Sequence, residues 1–248
     1  MRDPDSGWIQ LDTMELFLLW SGMGLGDLPP VLGVPHVGRT ERWRAELISS
    51  ASAALNARGL GSVESPARDL AGLLRVLAES EVSLDVRVYG DGEPLYGYAG
   101  SRGRTAAVIA RVAGEVRVGP VTPGRLVGPL LDSLSPLPAG PDRPANVSAA
   151  DLETAFAEVE RDGTAGFQRA LSHAGVRASE AATVSRVLSS RQAHGQLGVT
   201  GRDRRWLNWV DTPEGRYALR QNGSWVTLTP VDLPRLSSMA EEMLDEVR

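Results

Sequence analysis

Hydrophobic residues recur with the period of a helix or of a strand in distinct segments of the chain. Residues 8–12 alternate, with Ile9 and Leu11 on one side and the other three residues on the opposite side, which predicts a short first strand. The apolar run Met14–Trp20 follows and predicts a helix capped by Asp12 or Thr13. Residues 23–37 are rich in glycine and proline, so we expect an irregular loop there.

Two further helices are predicted before the hydrophobic period changes. Thr40 is a suitable cap for a helix from about Glu41 to Arg58, and Gly59 is placed to end it. Ser65 is predicted to cap the next helix, with Pro66 at its first position.

From Leu84 onward the hydrophobic period becomes two. The stretches LDVRVYG, PLYGYAG, TAAVIARV and GEVRVGPV are separated by glycine turns and predict a four-stranded antiparallel meander. The segment Pro120–Leu134 carries a stripe of leucines and predicts a helix, bent near Gly128 and Pro129. Four prolines in Ser135–Asn146 predict a linker.

After this linker the same succession of patterns returns. Helices are predicted from a cap at Ser148, at about Thr164–Ala174 and Ser179–Ser190, and at Pro234–Glu246. Strands are predicted near Gly195–Thr200, Arg205–Val210, Arg216–Gln221 and Trp225–Thr229.

Short sequences also recur in the same order in the two parts of the chain. PVTPGRL begins at Pro120 and PVDLPRL at Pro230, 110 residues later, while ALNARGL is matched by ALSHAGV and the triplet RVL occurs in each part. Self-similarity of this kind is typical of internal repeats. We therefore predict an α+β fold of a single domain, residues 1–248, with quasi-two-fold internal duplication. Its pseudo-repeat halves, about 1–134 and 147–248, are joined by the proline-rich linker 135–146 and share one antiparallel sheet.

Charge and composition narrow the functional classes. The formal net charge is -5 and the pI is about 5.3, which does not favour binding to nucleic acid or to an anionic membrane. The absence of cysteine excludes disulfides and thiolate metal sites. The apolar run near the start is too short for a signal sequence or a membrane span, so we expect a cytoplasmic protein without stable membrane insertion.

Catalytic and cofactor-binding patterns are absent from the sequence. His36, His173 and His194 lack the spacing of metal ligands. The glycine-rich GMGLGD at residues 22–27 follows a predicted helix rather than a strand and lacks a lysine, which argues against a phosphate-binding loop. We expect neither an enzyme nor a cofactor.

Aromatic residues are concentrated in the second set of predicted strands. The four residues are Trp206, Trp209, Tyr217 and Trp225. They are candidates for a binding surface, although tryptophans in strands more often belong to the core.

The order of these elements and several weak signatures resemble the EspG family, cytosolic proteins associated with actinobacterial type VII (ESX) secretion systems. The resemblance covers nearly the whole chain and rests on ALNARGL, ESEVSLDVR, TAAVIARVAGEVRV and VDTPEGRYALRQNGSWVTLTP with the helix after it. It implies a central antiparallel β-sheet flanked by two helical bundles. It also implies a non-catalytic chaperone that binds helical PE/PPE-like secretion substrates and keeps them soluble before export.

The resemblance implies two regions of partner contact, which in mycobacterial members are the loop after the second strand and the C-terminal helical bundle. Here that loop is only Gly90, Asp91, Gly92 and Glu93, much shorter than in mycobacterial members, and the bundle corresponds to Ala149–Ser190. The candidate partner-binding residues are those four and, in the bundle, Phe156 and Phe167. A small-molecule or nucleic-acid-binding regulator on the same scaffold is the alternative, and a homodimer is left open.

Overall fold

A single antiparallel sheet of ten strands organises the described part of the chain. The computed structural model describes Asp3 and residues 6–248. The strands are β1 Ile9–Asp12, β2 Val82–Tyr89, β3 Leu95–Arg102, β4 Thr105–Val112, β5 Glu115–Pro120, β6 Ala145–Ser148, β7 Ala193–Thr200, β8 Arg204–Thr212, β9 Gly215–Asn222 and β10 Trp225–Pro230. Their spatial order is β1-β5-β4-β3-β2-β7-β8-β9-β10-β6. The two meanders therefore meet at β2 and β7, whose register pairs Val86 with Leu197.

Seven α-helices and one short 3₁₀ turn, Pro30–Leu32, lie within the described residues. The helices are α1 Thr13–Gly22, α2 Glu41–Ala57, α3 Arg68–Ala78, α4 Gly128–Leu131, α5 Ala149–His173, α6 Ala178–Ser189 and α7 Leu233–Val247. The fold class is α+β, as expected from the sequence.

The strands alternate their side chains between two covered faces of the sheet. Val108 points to the face that α4 and α7 cover, whereas its neighbour Ile109 points to the face that carries the other helices. On this second face, α1, α2 and α3 pack on the first meander, and α5 and α6 pack on the second. Burial of apolar side chains on both faces is the main stabilising contribution to the sheet.

Three segments differ from the sequence predictions. The helix expected over Pro120–Leu134 is reduced to the single turn α4, because Gly124 adopts a positive φ of 89° and Pro129 lies at the start of the turn. The helix expected at Ser65 and Pro66 begins only at Arg68, since residues 61–66 form a small bridged turn instead. The third difference concerns the linker.

The proline-rich linker is attached to the second meander along much of its length. Its last residues, 145 and 146, belong to β6 rather than to a connection. Asp142 accepts a hydrogen bond of 2.5 Å from the Tyr217 hydroxyl and also pairs with Arg186 of α6. Gly140 donates to the Arg216 carbonyl oxygen at 3.1 Å. The segment predicted as a linker is therefore held against the second meander by specific contacts.

The backbone makes the same hydrogen-bonded turn after the last strand of each meander. The N–H of Val121 donates to the Ala106 carbonyl at 3.1 Å, and the N–H of Val231, 110 residues later, donates to the Arg216 carbonyl at 3.0 Å. The helix stops also match, because Gly59 and Gly175 both have positive φ, 68° and 80°. These matches support the internal duplication, which we retain as a proposal.

Candidate partner-binding site

Helix α5 is broken in its middle and doubles back on itself. Asp162 has φ -134° and ψ 15°, and Gly163 has φ 59° and ψ -151°, a combination that side-chain-bearing residues rarely adopt. The break separates a first segment, residues 149–161, from a second segment, residues 164–173. At Gly166 an added Cβ would lie 2.7 Å from the Glu158 carbonyl oxygen, so glycine allows the two segments to pack closely.

An apolar groove opens between the two segments of α5 and the end of α6. It has a volume of about 130 Å³. We call it the bundle groove. The residues that line it are Phe156, Val159, Thr164, Phe167, Ser185, Leu188 and Ser189. Phe156 and Val159 are 47% and 40% exposed, an unusual state for adjacent large apolar side chains on one helix face.

The two phenylalanines proposed from the sequence meet in the bundle groove. Their rings pack edge to face, with centroids 5.4 Å apart and an interplanar angle of 62°. Phe167 is only 3% exposed and belongs to the core of the second half. Phe156 is thus the accessible member of the pair, and Phe167 holds it from below.

The hairpin turn Gly90–Glu93 lies at the same end of the sheet as the end of α6. An added Cβ at Gly90 would lie 3.3 Å from the Ala193 side chain, and Ala193 begins the strand that follows α6. Just before the turn, Tyr89 stacks on His194 with ring centroids 5.1 Å apart. The turn is exposed and does not line the bundle groove.

The aromatic residues of the second meander do not form one binding surface. Trp209 and Tyr217 are buried in different core clusters, on opposite faces of the sheet. Trp206 and Trp225 are exposed, at 38% and 54%, and the Arg204 guanidinium covers the Trp206 ring at 4.1 Å from its centroid. The period of two along β8 separates Trp206 from Trp209, because strand positions that differ by an odd number point to opposite faces.

Sequence reasoning missed Val159 and Leu188 as members of the groove. Val159 lies three residues after Phe156, and this helical spacing could have placed the two on one face. Leu188 could not be assigned in this way, because its proximity to Phe156 depends on how α6 packs against α5.

A second, larger cavity of about 380 Å³, with a mixed polar and apolar lining, lies where β2 and β7 meet the loop residues 27–31 and the end of α3. Asp85 lines this cavity and accepts a hydrogen bond from the Arg204 guanidinium at 3.4 Å. Burial raises the pKa of the Asp85 carboxyl and outweighs the opposing influence of Arg204 and Arg87. Mixed positive and negative side chains line this cavity, so its charge favours neither an anion nor a cation.

Other structural features bear on metal binding and on membranes. Within the described residues, no group of three or more His, Asp or Glu side chains could hold a metal ion. Among the same residues, every helix is too short or too polar to cross a membrane.

Comparisons with known proteins identify the family of this chain. Its sequence matches the family model described as the EspG family over residues 12–242. Its structure is similar to that of the Mycobacterium tuberculosis type VII secretion system chaperone EspG5, solved in complex with a PE25-PPE41 dimer. The TM-score is 0.75 at 16% sequence identity, and the match covers 97% of this chain and 96% of that chain. No curated protein sequence matches it. The family model spans far more than half of the sequence, and the chain therefore belongs to the EspG family.

Proposed function

We propose that this protein is a non-catalytic chaperone of a type VII secretion system. In this role it binds a helical PE/PPE-like client in the cytoplasm and keeps it soluble before export. Membership of the EspG family supports the class of function. The EspG5 structure was determined with a PE25-PPE41 dimer bound, which supports the class of client.

The bundle groove is the single observation that carries the proposed site. A helical client buries its apolar side chains most readily in a groove between helices, where side chains at helical spacing are already exposed. Phe156 and Val159 are exposed in this way, whereas the Phe167 ring beneath them is fixed by the core. An apolar groove with a rigid floor can bind without a large loss of conformational entropy.

The turn Gly90–Glu93 is proposed as a contact at the rim of this site. It contains two carboxylates, Asp91 and Glu93, and its residues are exposed. A turn of this length is too short to wrap around the tip of a helical client. Its contribution to affinity is therefore expected to be smaller than that of the groove.

Chaperone function by this mechanism is a matter of mass action. A chaperone that covers the apolar tip of a client lowers the free concentration of the aggregation-prone form. It requires no cofactor and no chemical step.

Co-expression is the direct test of the proposed function. The protein is to be produced together with a PE/PPE pair encoded beside a type VII secretion locus of the same genome, and purified by a tag on the chaperone. We expect a stable one-to-one complex and a client that stays soluble only in the presence of the chaperone. A client that remains soluble alone, or that never co-purifies with the chaperone, would refute the proposal.

A further inference from the structure

The cavity of about 380 Å³ beside β2 and β7 has one apolar wall and one polar wall, and we call it the β2–β7 cavity. Its apolar wall comes from α1, the end of α3 and the loop residues 28–31. Its polar wall comes from the sheet and consists of Ser83, Asp85, Arg87, Tyr98, Thr200 and Arg204. Apolar surface combined with a few placed polar groups is the usual composition of a small-molecule site.

The apolar wall is held in place by the protein's own contacts. The Trp20 indole N–H donates to the Gly26 carbonyl at 3.2 Å, which fastens the loop to α1. Pro29 and Pro30 restrict the backbone of the loop, and the Val31 side chain is buried in the core of the first half. Because this wall is already formed, a ligand can pack against it with little loss of conformational entropy.

Asp85 is the most buried charged residue of the polar wall. It is 8% exposed, and the strand register places it between Tyr98 of β3 and Gly198 of β7. Gly198 leaves room for the carboxylate, since an added Cβ there would lie 2.7 Å from the Asp85 Oδ1 atom. Within the described residues, the one side-chain hydrogen bond of Asp85 is the contact of 3.4 Å from Arg204. A buried carboxylate with a single long hydrogen bond can accept further hydrogen bonds from a ligand.

Two guanidinium groups line the same cavity as this carboxylate. Arg87 lies two residues after Asp85 on β2, so its side chain is on the same face of the sheet, and it donates to the Gln196 side-chain oxygen at 3.3 Å. The Arg204 guanidinium is held over the Trp206 ring, 4.1 Å from its centroid. A guanidinium carries several N–H donors, so both arginines keep donors for a ligand.

The charges of the lining indicate the class of ligand. The lining contains two carboxylates and two guanidinium groups, those of Asp27, Asp85, Arg87 and Arg204. A ligand with one charge would pair with one sign and leave the groups of the other sign uncompensated. A ligand that carries both charges can pair with both. Burial also raises the pKa of the Asp85 carboxyl despite the two arginines, so a cationic group of a ligand would improve its compensation.

We propose that the β2–β7 cavity binds a small zwitterion with an apolar side chain, which is the chemistry of a free α-amino acid such as leucine, methionine or phenylalanine. The ammonium group donates to Asp85, and the carboxylate accepts from Arg87 and Arg204. The apolar side chain packs against the wall formed by Trp20 and the loop. The β2–β7 cavity shares no lining residue with the bundle groove, and this inference does not depend on the proposed function.

Derivatives of one amino acid separate the two charged contacts. A thermal-shift screen of the full chain with L-leucine, L-methionine and L-phenylalanine selects the amino acid that stabilises it most. Calorimetry then compares three forms of this amino acid. The free form has both charges, the N-acetyl derivative lacks the ammonium group, and the carboxamide derivative lacks the carboxylate.

Two variants of the lining and two controls complete the experiment. Asp85→Asn and Arg204→Gln each remove the proposed partner of one charge. Arg235→Gln is the matched control for the arginine, because Arg235 lies on α7, forms an exposed pair with Glu242 and does not line the cavity. Phe156→Arg is the control for binding in the bundle groove. Circular dichroism checks that every variant keeps the fold.

We expect the free amino acid to bind at least about tenfold more tightly than either derivative. Asp85→Asn should remove most of its advantage over the N-acetyl derivative, and Arg204→Gln most of its advantage over the carboxamide. A merely structural role of either residue would instead weaken all three forms alike. Both controls should leave the three affinities within about twofold of wild type.

Three results would overturn the inference. The first is the absence of a thermal shift and of binding heat with all three amino acids. The second is equal affinity for the free form and its two derivatives, or a uniform loss of affinity for all forms in both lining variants. The third is loss of amino-acid binding in Phe156→Arg, which would place the ligand in the bundle groove.

Discussion

Phe156 and Phe167 pack edge to face, with ring centroids 5.4 Å apart, yet one ring is accessible and the other is enclosed. Because of this difference, we expect Phe167 to contribute mainly to the stability of the fold and Phe156 mainly to client binding. Phe167→Ala is expected to lower the free energy of unfolding by about 3–5 kcal/mol, because it leaves a cavity in the core of the second half. Phe156→Ala is expected to change it by about 1 kcal/mol or less, because the ring is already half exposed. Urea denaturation of both variants measures the difference, and equal losses would contradict this assignment of roles.

The break in α5 is expected to depend on Gly163. Its φ of 59° and ψ of -151° lie in a region that is costly for any residue with a Cβ, whereas no neighbouring atom lies within 4 Å of an added methyl. Gly163→Ala should therefore lose about 1–3 kcal/mol of stability through backbone strain alone.

Gly72→Ala is the matched control for this backbone effect. Gly72 lies inside α3, and an added Cβ there also meets no atom within 4 Å. Since alanine favours a helix, this variant should gain about 0.5–1 kcal/mol. Thermal unfolding measures the midpoint temperature of both variants, which should fall for Gly163→Ala and rise for Gly72→Ala. A shift of both midpoints in the same direction would contradict the backbone strain assigned to Gly163.

The linker contact at Asp142 is expected to give a pH-dependent contribution to stability. Burial, the largest single influence, raises the pKa of Asp142, but hydrogen bonds from Tyr217 and Arg186 outweigh it and leave the pKa below its usual value. A carboxylate with a lowered pKa in the folded state stabilises the fold above its unfolded pKa of about 3.9. This contribution is lost as the pH falls through the lower, folded pKa.

Asp142→Asn should therefore cost about 1–3 kcal/mol at pH 7 and progressively less below about pH 4. Asp245→Asn is a suitable control, because Asp245 forms an exposed pair with Arg248 and should change stability by less than about 1 kcal/mol. Unfolding free energies measured from pH 3 to pH 7 provide the comparison. A loss at Asp142 that is independent of pH would show that its charge is not the stabilising feature.

The short hairpin turn should make a modest contribution to client binding. Reversing both carboxylates, Asp91→Lys with Glu93→Lys, should weaken the complex by about 1 kcal/mol or less, and less at high salt. Calorimetry at two salt concentrations measures this. Complete loss of binding would place the main contact at the turn rather than in the bundle groove.

Much of the fold could be predicted because local sequence signals agreed with the tertiary structure. The meander strands follow from the period of two, and the helix stops at Gly59 and Gly175 follow from glycine's access to positive φ. The short α4 could not be predicted with the same method. Its leucine stripe satisfies helical spacing, but those leucines are buried against α7 and β3 without a continuous helix.

The site could be predicted only in part, for a related reason. Phe156 and Phe167 were proposed as members of a helical bundle, and they do meet. Their different exposure depends on the reversal at Gly163, which brings the second segment of α5 back over the first. The burial of Trp209 against the exposure of Trp206 likewise depends on which face of the sheet the helices cover.

Isothermal titration calorimetry with paired surface variants tests the central claim most directly. The PE/PPE pair recovered by co-expression is titrated into wild-type protein, into Phe156→Arg and into Trp43→Arg. Trp43 is a suitable control, because it is 48% exposed and lies on α2 of the other half. We expect Phe156→Arg to weaken binding by more than about 2 kcal/mol, as at the centre of an interface, and Trp43→Arg to leave it within about twofold of wild type. Wild-type affinity in Phe156→Arg together with lost affinity in Trp43→Arg would contradict the placement of the client in the bundle groove.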